Sequence, residues 1–165
     1  MADGATFELV PRPPLDAGTY LVVGLARSGQ SVAKVLSAQG HRVIAVDSGS
    51  PEGTDTLGDF GVEVHLGGDG VELLPGADVL VKSPGVPQDA PVVALARAKG
   101  VPIVGELEIA WRLLPNPVIA VTGTNGKTTT TELLGQIYRD AQLPVEVAGN
   151  VGRALSELVG NIDPD

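Results

Sequence analysis

The sequence predicts an α/β protein: a parallel sheet with helices on its faces, followed by the opening of a second α/β unit. Three observations carry this reading. Short apolar runs of strand length, Tyr20-Leu21-Val22-Val23, Val43-Ile44-Ala45-Val46 and Val79-Leu80-Val81, recur along the first half. Nothing polar alternates within them, so they read as strands buried on both faces. Segments with apolar residues at helical spacing separate the runs, the βαβ pattern of a parallel sheet. Glycine-rich turns also stand where strand passes into helix, at Gly24–Gly29 and Gly123–Gly126.

Residues 1–18 hold Pro11, Pro13 and Pro14 without periodicity and read as a loosely ordered leader. The first strand is Tyr20–Gly24, and the turn Gly24-Leu25-Ala26-Arg27-Ser28-Gly29 follows. A helix over Ser31–Gln39 stops at Gly40, and a second strand, Arg42–Val46, ends in Asp47. This unit narrowly misses the dinucleotide fingerprint, because Ala26 stands at the middle glycine. Asp47 lies near the position where an acidic residue takes a ribose hydroxyl, at the ligand-facing edge of a parallel sheet. The other reading of Gly24 and Gly29 is that they let strand and helix pack closely.

A short strand at Val62–His65 and a longer one at Ala77–Lys82 come next, and Ser83-Pro84-Gly85 closes the latter at the same sheet edge as Gly24 and Asp47. A helix over Pro91–Lys99 leads into residues 101–104. An amphipathic helix over Gly105–Leu114 follows, ended by Pro115 and Pro117. Acidic residues at 52, 55, 59, 63, 69 and 72 read as a solvated face and its loops. His41 and His65 read as structural or solvent-facing, not as a metal pair.

The second unit starts with Val118-Ile119-Ala120-Val121, which reads as a buried strand, and continues into Thr122-Gly123-Thr124-Asn125-Gly126-Lys127-Thr128-Thr129-Thr130. A helix over Lys127–Ala141 has Leu133, Leu134, Ile137 and Tyr138 as its apolar face. A strand at Pro144–Ala148 follows, and Gly149-Asn150-Val151-Gly152 opens another helix ending near Gly160. The glycine-rich turn has the chemistry of a phosphate loop. N–H groups at a helix start lack intrahelical partners, and the helix dipole favours an anion there. Gly123 and Gly126 let the backbone curl around a phosphate, Lys127 offers a charge to the β/γ-phosphates, and Thr128 offers a hydroxyl to Mg²⁺. The spacing is shorter than the general pattern, whose first glycine would fall at Val121.

The formal net charge of −9 argues against a nucleic-acid surface, which needs clustered Lys and Arg. There is no cysteine, hence no disulfide framework and no thiol chemistry. No apolar run approaches the ~20 residues of a membrane span, and the N-terminus lacks a signal-type core. A cytoplasmic protein without membrane insertion is expected.

Gly-Thr-Asn-Gly-Lys-Thr resembles the ATP loop of the Mur ligases and of the related folylpolyglutamate synthases. The succession Gly24–Gly29 with Asp47, Ser83-Pro84-Gly85, Gly105-Glu106-Leu107-Glu108, the loop, and Gly149-Asn150-Val151-Gly152 is similar to the D-glutamate-adding branch of the Mur ligases. The resemblance runs from about Tyr20 onward. It implies a Rossmann-like parallel-sheet domain at 19–115 that binds a UDP substrate, then the first part of a P-loop-type α/β ATPase domain at 116–165. It implies Arg27, Ser28, Asp47, Ser48, Gly85 and Asn150 as substrate contacts. Gly123, Thr124, Asn125, Gly126, Lys127, Thr128, Thr129 and Thr130 become the ATP loop, with Lys127 and Thr128 catalytic and Thr128 near the metal.

The implied reaction is ATP- and Mg²⁺-dependent addition of D-glutamate to UDP-N-acetylmuramoyl-L-alanine through an acyl phosphate, in peptidoglycan precursor synthesis, by a monomer. Three family features have no counterpart before Asp165: the later metal-binding glutamate, the lysine usually carbamylated, and the C-terminal domain. This chain alone is therefore expected to bind nucleotide without ligase activity. Other readings are another Mur-type ligase, a non-catalytic nucleotide-binding module, or an NAD-dependent oxidoreductase, which would leave Gly123–Thr129 without a role.

Overall fold

The structure, a computed structural model, describes residues 11–149 and 152–163. Five strands, β1 (Thr19–Val23), β2 (Arg42–Asp47), β3 (Glu63–Leu66), β4 (Val79–Lys82) and β5 (Ile103–Gly105), form one sheet in the order β3-β2-β1-β4-β5. Every pairing is parallel, with Val23 opposite both Val46 and Lys82. Helices α1 (Arg27–Ala38), α2 (Pro91–Lys99) and α3 (Glu106–Leu113) cover the sheet, and α4 (Lys127–Asp140) follows.

Alternation along each strand sorts its side chains to two cores. Tyr20, Val22, Val43, Ala45, Val79 and Val81 pack with Val32, Ala33 and Leu36 of α1 and Ile109 of α3. Leu21, Val23, Ile44, Val46 and Leu80 face the other way, onto Val92, Val93 and Ala96 of α2. Both cores exclude water, so the strands are continuously apolar, and each such side chain contributes about 1.5–3 kcal/mol on burial. β5 has no counterpart among the strands expected from the sequence. Pro102 precedes it and it has only three residues, but Ile103 pairs with Leu80 at the sheet edge.

At the opposite edge, Glu63 on β3 accepts hydrogen bonds from His65 and from Arg42 on β2. These hold the Glu63 carboxyl below the usual carboxylate range. His41 packs edge-on against Tyr20, with ring centroids 4.8 Å apart. Both histidines thus occupy structural positions.

In the described part of the expected leader, Arg12 donates to the carbonyls of Trp111, Leu114 and Asn116, at the C-terminal end of α3. Its guanidinium also lies 5.3 Å from the Trp111 ring centroid.

The second unit departs from expectation at three places. Val118–Val121 is not a strand: it has no regular secondary structure, and Val118 and Ile119 are 42% and 61% exposed. Residues 144–148 form no strand either. A strand exists only through its ladder, and among the described residues no strand pairs with either segment. The helix expected after Gly152 is a single 3-10 turn, Leu155–Leu158. Helix α4 forms as predicted, but Leu133 and Ile137 of its apolar face are exposed, and only Gly135 is buried.

Candidate functional site: two clefts flanking the first unit

The sheet order reverses between β1 and β4, and a crevice opens at the carboxyl ends of strands at such a switch point. A cleft of about 440 Å³ lies there, and Gly24, Ala26, Ser28, Asp47, Ser48 and Gly85 are among its lining. The loops after β1, β2, β3 and β4 meet to form it. The turn after β1 is fixed when the Gly24 N–H donates to the Val46 carbonyl at 2.8 Å. Both carboxylate oxygens of Asp47 are engaged. The Leu25 N–H donates to Oδ2 at 2.6 Å and the Gly49 N–H to Oδ1 at 2.8 Å, so Asp47 ties the β1 and β2 loops together. The Ser83 hydroxyl donates to the Gly24 carbonyl at 2.6 Å and anchors the Ser-Pro-Gly loop. Lys82 braces that loop from below, its ammonium donating to the Val86 carbonyl at 2.6 Å.

Gly29 settles one of the two readings of the first turn. A Cβ there would lie 1.8 Å from the Gly24 carbonyl oxygen and 2.7 Å from Ser83 Oγ. Its absence lets α1 start directly against the loops. No side chain caps α1, which leaves its first-turn N–H groups facing the cleft end of the sheet.

Ser28, Asp47, Ser48 and Gly85 therefore line one cleft. Arg27 does not line this cleft: its guanidinium reaches the Gly152 carbonyl at 3.0 Å. Asn150 lies outside the described residues. Asp69, which reads in the sequence as part of a solvated acidic face, lines the cleft beside Gly68. The signal for it was the glycine pair directly after β3, at the same sheet edge.

The second cleft, about 530 Å³, lies between α3 and α4, with Leu107, Glu108 and Trp111 on one wall and Lys127, Thr128 and Thr131 on the other. Gly123 and Gly126 take φ of 145° and 77°, which lets the turn curl back before α4 begins at Lys127. The Lys127 ammonium folds over the turn and donates to the Gly123 carbonyl at 2.6 Å. No side chain caps α4, and Thr130 donates the first intrahelical bond, to Gly126. The N–H groups of Lys127, Thr128 and Thr129 are thus presented together with a cation, the donor set that fits a phosphate. Among the described residues no three His, Cys, Asp or Glu side chains converge on a metal-sized space. Of the described residues, this turn can offer a divalent cation the Thr128 hydroxyl, next to the oxygens of a bound phosphate.

A switch-point cleft on a parallel sheet, followed by a glycine turn that opens a helix, defines an α/β protein of Rossmann-like design with the start of a second unit. A family model, the Mur ligase MurD-like N-terminal domain, matches residues 18–105, and the Mur ligase middle domain matches residues 121–161. The chain belongs to the Mur ligase family. A UDP-N-acetylmuramoylalanine–D-glutamate ligase of Pelotomaculum thermopropionicum is 42% identical over 149 residues, covering 88% of this chain and 33% of that protein. One from Caldanaerobacter subterraneus is 44% identical over 138 residues, covering 81% and 31%. Among solved structures, a murein peptide ligase of Psychrobacter arcticus superposes with a TM-score of 0.55 at 25% identity, over 79% of this chain and 30% of that one. The UDP-N-acetylmuramate–alanine ligase MurC of Thermotoga maritima gives 0.53 at 25%, over 77% and 30%. The chain spans about a third of the length of the curated relatives it matches.

Proposed function

We propose that the protein belongs to an ATP-dependent amide ligase that adds D-glutamate to UDP-N-acetylmuramoyl-L-alanine in the cytoplasm. The observation that supports this most is the pair of family matches, a MurD-like N-terminal domain followed by a Mur middle domain, on a chain whose relatives are named for that reaction. In this reading residues 1–18 are a leader, 19–115 bind the sugar nucleotide and 116–165 begin the ATP-binding domain.

A free carboxylate is a poor acyl donor because it would have to expel oxide. A substrate carboxylate oxygen attacks the γ-phosphorus of ATP, the bond to ADP breaks, and an acyl phosphate forms. The D-glutamate amine then attacks the acyl carbon, phosphate leaves with the bonding pair, and the nitrogen gives up a proton. Lys127 and the N–H groups of Lys127, Thr128 and Thr129 hold the phosphates and offset charge on the phosphoryl group in flight. Mg²⁺ supplies further charge neutralisation when bound, and Thr128 would hold it. The uridine diphosphate end lies in the first cleft against Ser28, Asp47, Ser48 and Gly85; Arg27, which directly precedes Ser28, and Asn150 are further substrate contacts that the family resemblance implies. Asp69 joins that set because it lines the same wall.

Phosphate release with UDP-N-acetylmuramoyl-L-alanine, D-glutamate, ATP and Mg²⁺ tests the reading. The expected result is turnover by a ligase containing this chain and none by the 165 residues alone. Turnover without D-glutamate, or robust turnover by these 165 residues, contradicts it.

The first cleft is tested separately by Asp47→Ala. Removing the carboxylate unties the β1 and β2 loops that line the cleft, since each hydrogen bond to a charged group contributes about 1.5–3 kcal/mol to holding them. Uridine diphosphate affinity is expected to fall by at least about tenfold in calorimetry, with ATP binding kept. An unchanged uridine diphosphate affinity removes Asp47 from the site.

A further inference from the structure

We propose that Glu106 is a positioning residue that holds the two clefts in fixed register, so that filling the first moves a wall of the second. The inference rests on the nucleotide-binding reading above. Glu106 is the first residue of α3 and only 2% exposed. Among the described residues no cation pairs with it. Its Oε1 accepts the Ser156 N–H at 2.7 Å, across fifty residues of sequence. Burying a carboxylate is costly unless hydrogen bonds compensate it, and the Ser156 N–H supplies one.

What it fixes is a line between the clefts. Ser156 is itself 1% exposed, and its hydroxyl lies 2.8 Å from that of Ser31 on α1. Ser31 sits about one turn beyond Ser28, which lines the first cleft. Arg27, in the same first turn, donates to the Gly152 carbonyl, a second stitch to the same segment. On the other side, Leu107, Glu108 and Trp111 follow Glu106 on α3 and line the second cleft. Ser28, Ser31, Ser156, Glu106 and Trp111 therefore connect one cleft to the other through one helix, a buried and a half-buried hydrogen bond, and a second helix. Such bonds are strong and directional where water is excluded.

Trp111 is the only tryptophan in the chain and reports on the second cleft. Uridine diphosphate is titrated into the chain, with binding followed by calorimetry and Trp111 emission recorded in parallel. The parent is expected to bind and to change its emission in step with occupancy. Glu106→Gln, whose amide oxygen still accepts the Ser156 N–H, keeps the response. Glu106→Ala binds uridine diphosphate with similar affinity but loses the emission response. An equal response in Glu106→Ala, no response in a parent that binds, or a Glu106→Gln chain as silent as Glu106→Ala overturns the coupling while leaving the binding reading intact. No calorimetric binding by the parent overturns the functional reading itself. Should Glu106→Ala not fold, Ser31→Ala removes only the hydroxyl link. A diminished response there supports the register, and an undiminished one rejects it.

Discussion

Lys127→Ala is expected to lose most ATP binding at concentrations that just saturate the parent, while uridine diphosphate still binds. The Lys127 ammonium is the one cation of the turn Gly123–Gly126, held over it by the Gly123 carbonyl at 2.6 Å. A hydrogen bond to a charged group contributes about 1.5–3 kcal/mol. Losing one lowers ATP affinity by about 10- to 150-fold. Lys127→Met keeps most of the stem and removes only the charge, so it should match the alanine variant. Calorimetry with ATP and Mg²⁺ measures this directly. An ATP affinity within about threefold of the parent would mean that the turn is not the phosphate site.

Gly29→Ala is expected to destabilise the fold and damage the first cleft together. The new Cβ would meet the Gly24 carbonyl oxygen at 1.8 Å and the Gly24 carbonyl carbon at 2.9 Å, both backbone atoms that cannot rotate away. Overpacking costs about 1–3 kcal/mol and occasionally more, and a backbone clash belongs at the upper end. For a chain of this size about 3 kcal/mol lowers the melting temperature by about 6–12 °C. The clash also pushes apart the β1 turn and α1, so uridine diphosphate binding weakens. Gly58→Ala is the control, since a Cβ there meets nothing within 4 Å and the backbone is not left-handed. Equal melting temperatures for the two variants would show that the close approach at Gly29 is absent.

The first unit was legible because its rules are local. Val22 and Val81 sit in unbroken apolar runs only because two helical layers cover the sheet. Gly24 and Ser83-Pro84-Gly85 directly follow a strand and Asp47 ends one, so a parallel sheet carries all of them to one edge. β5 escaped because Pro102 and its brevity hide a strand that only the Leu80 pairing creates. The second unit was legible in its turn and its helix, and not in its strands. Val118–Val121 has strand composition, but strandedness belongs to a pair, and no described segment supplies the partner. Asp69 reads as solvated in the sequence, and Glu106 reads only as part of the Gly105-Glu106-Leu107-Glu108 motif, because a carboxylate's surroundings are not written in its neighbours. Glu106 stands at the start of an amphipathic helix, where an acidic residue is ordinary. Only the fold places Ser156 against it.

Two separate anion sites on one chain are the foundation of the functional proposal, and sequential calorimetry addresses them most directly. The chain is saturated with uridine diphosphate and then titrated with ATP and Mg²⁺. The account predicts a second binding event of one ATP per chain, lost in Lys127→Ala and retained in Asp47→Ala. Displacement of uridine diphosphate by ATP, one for one, would contradict it.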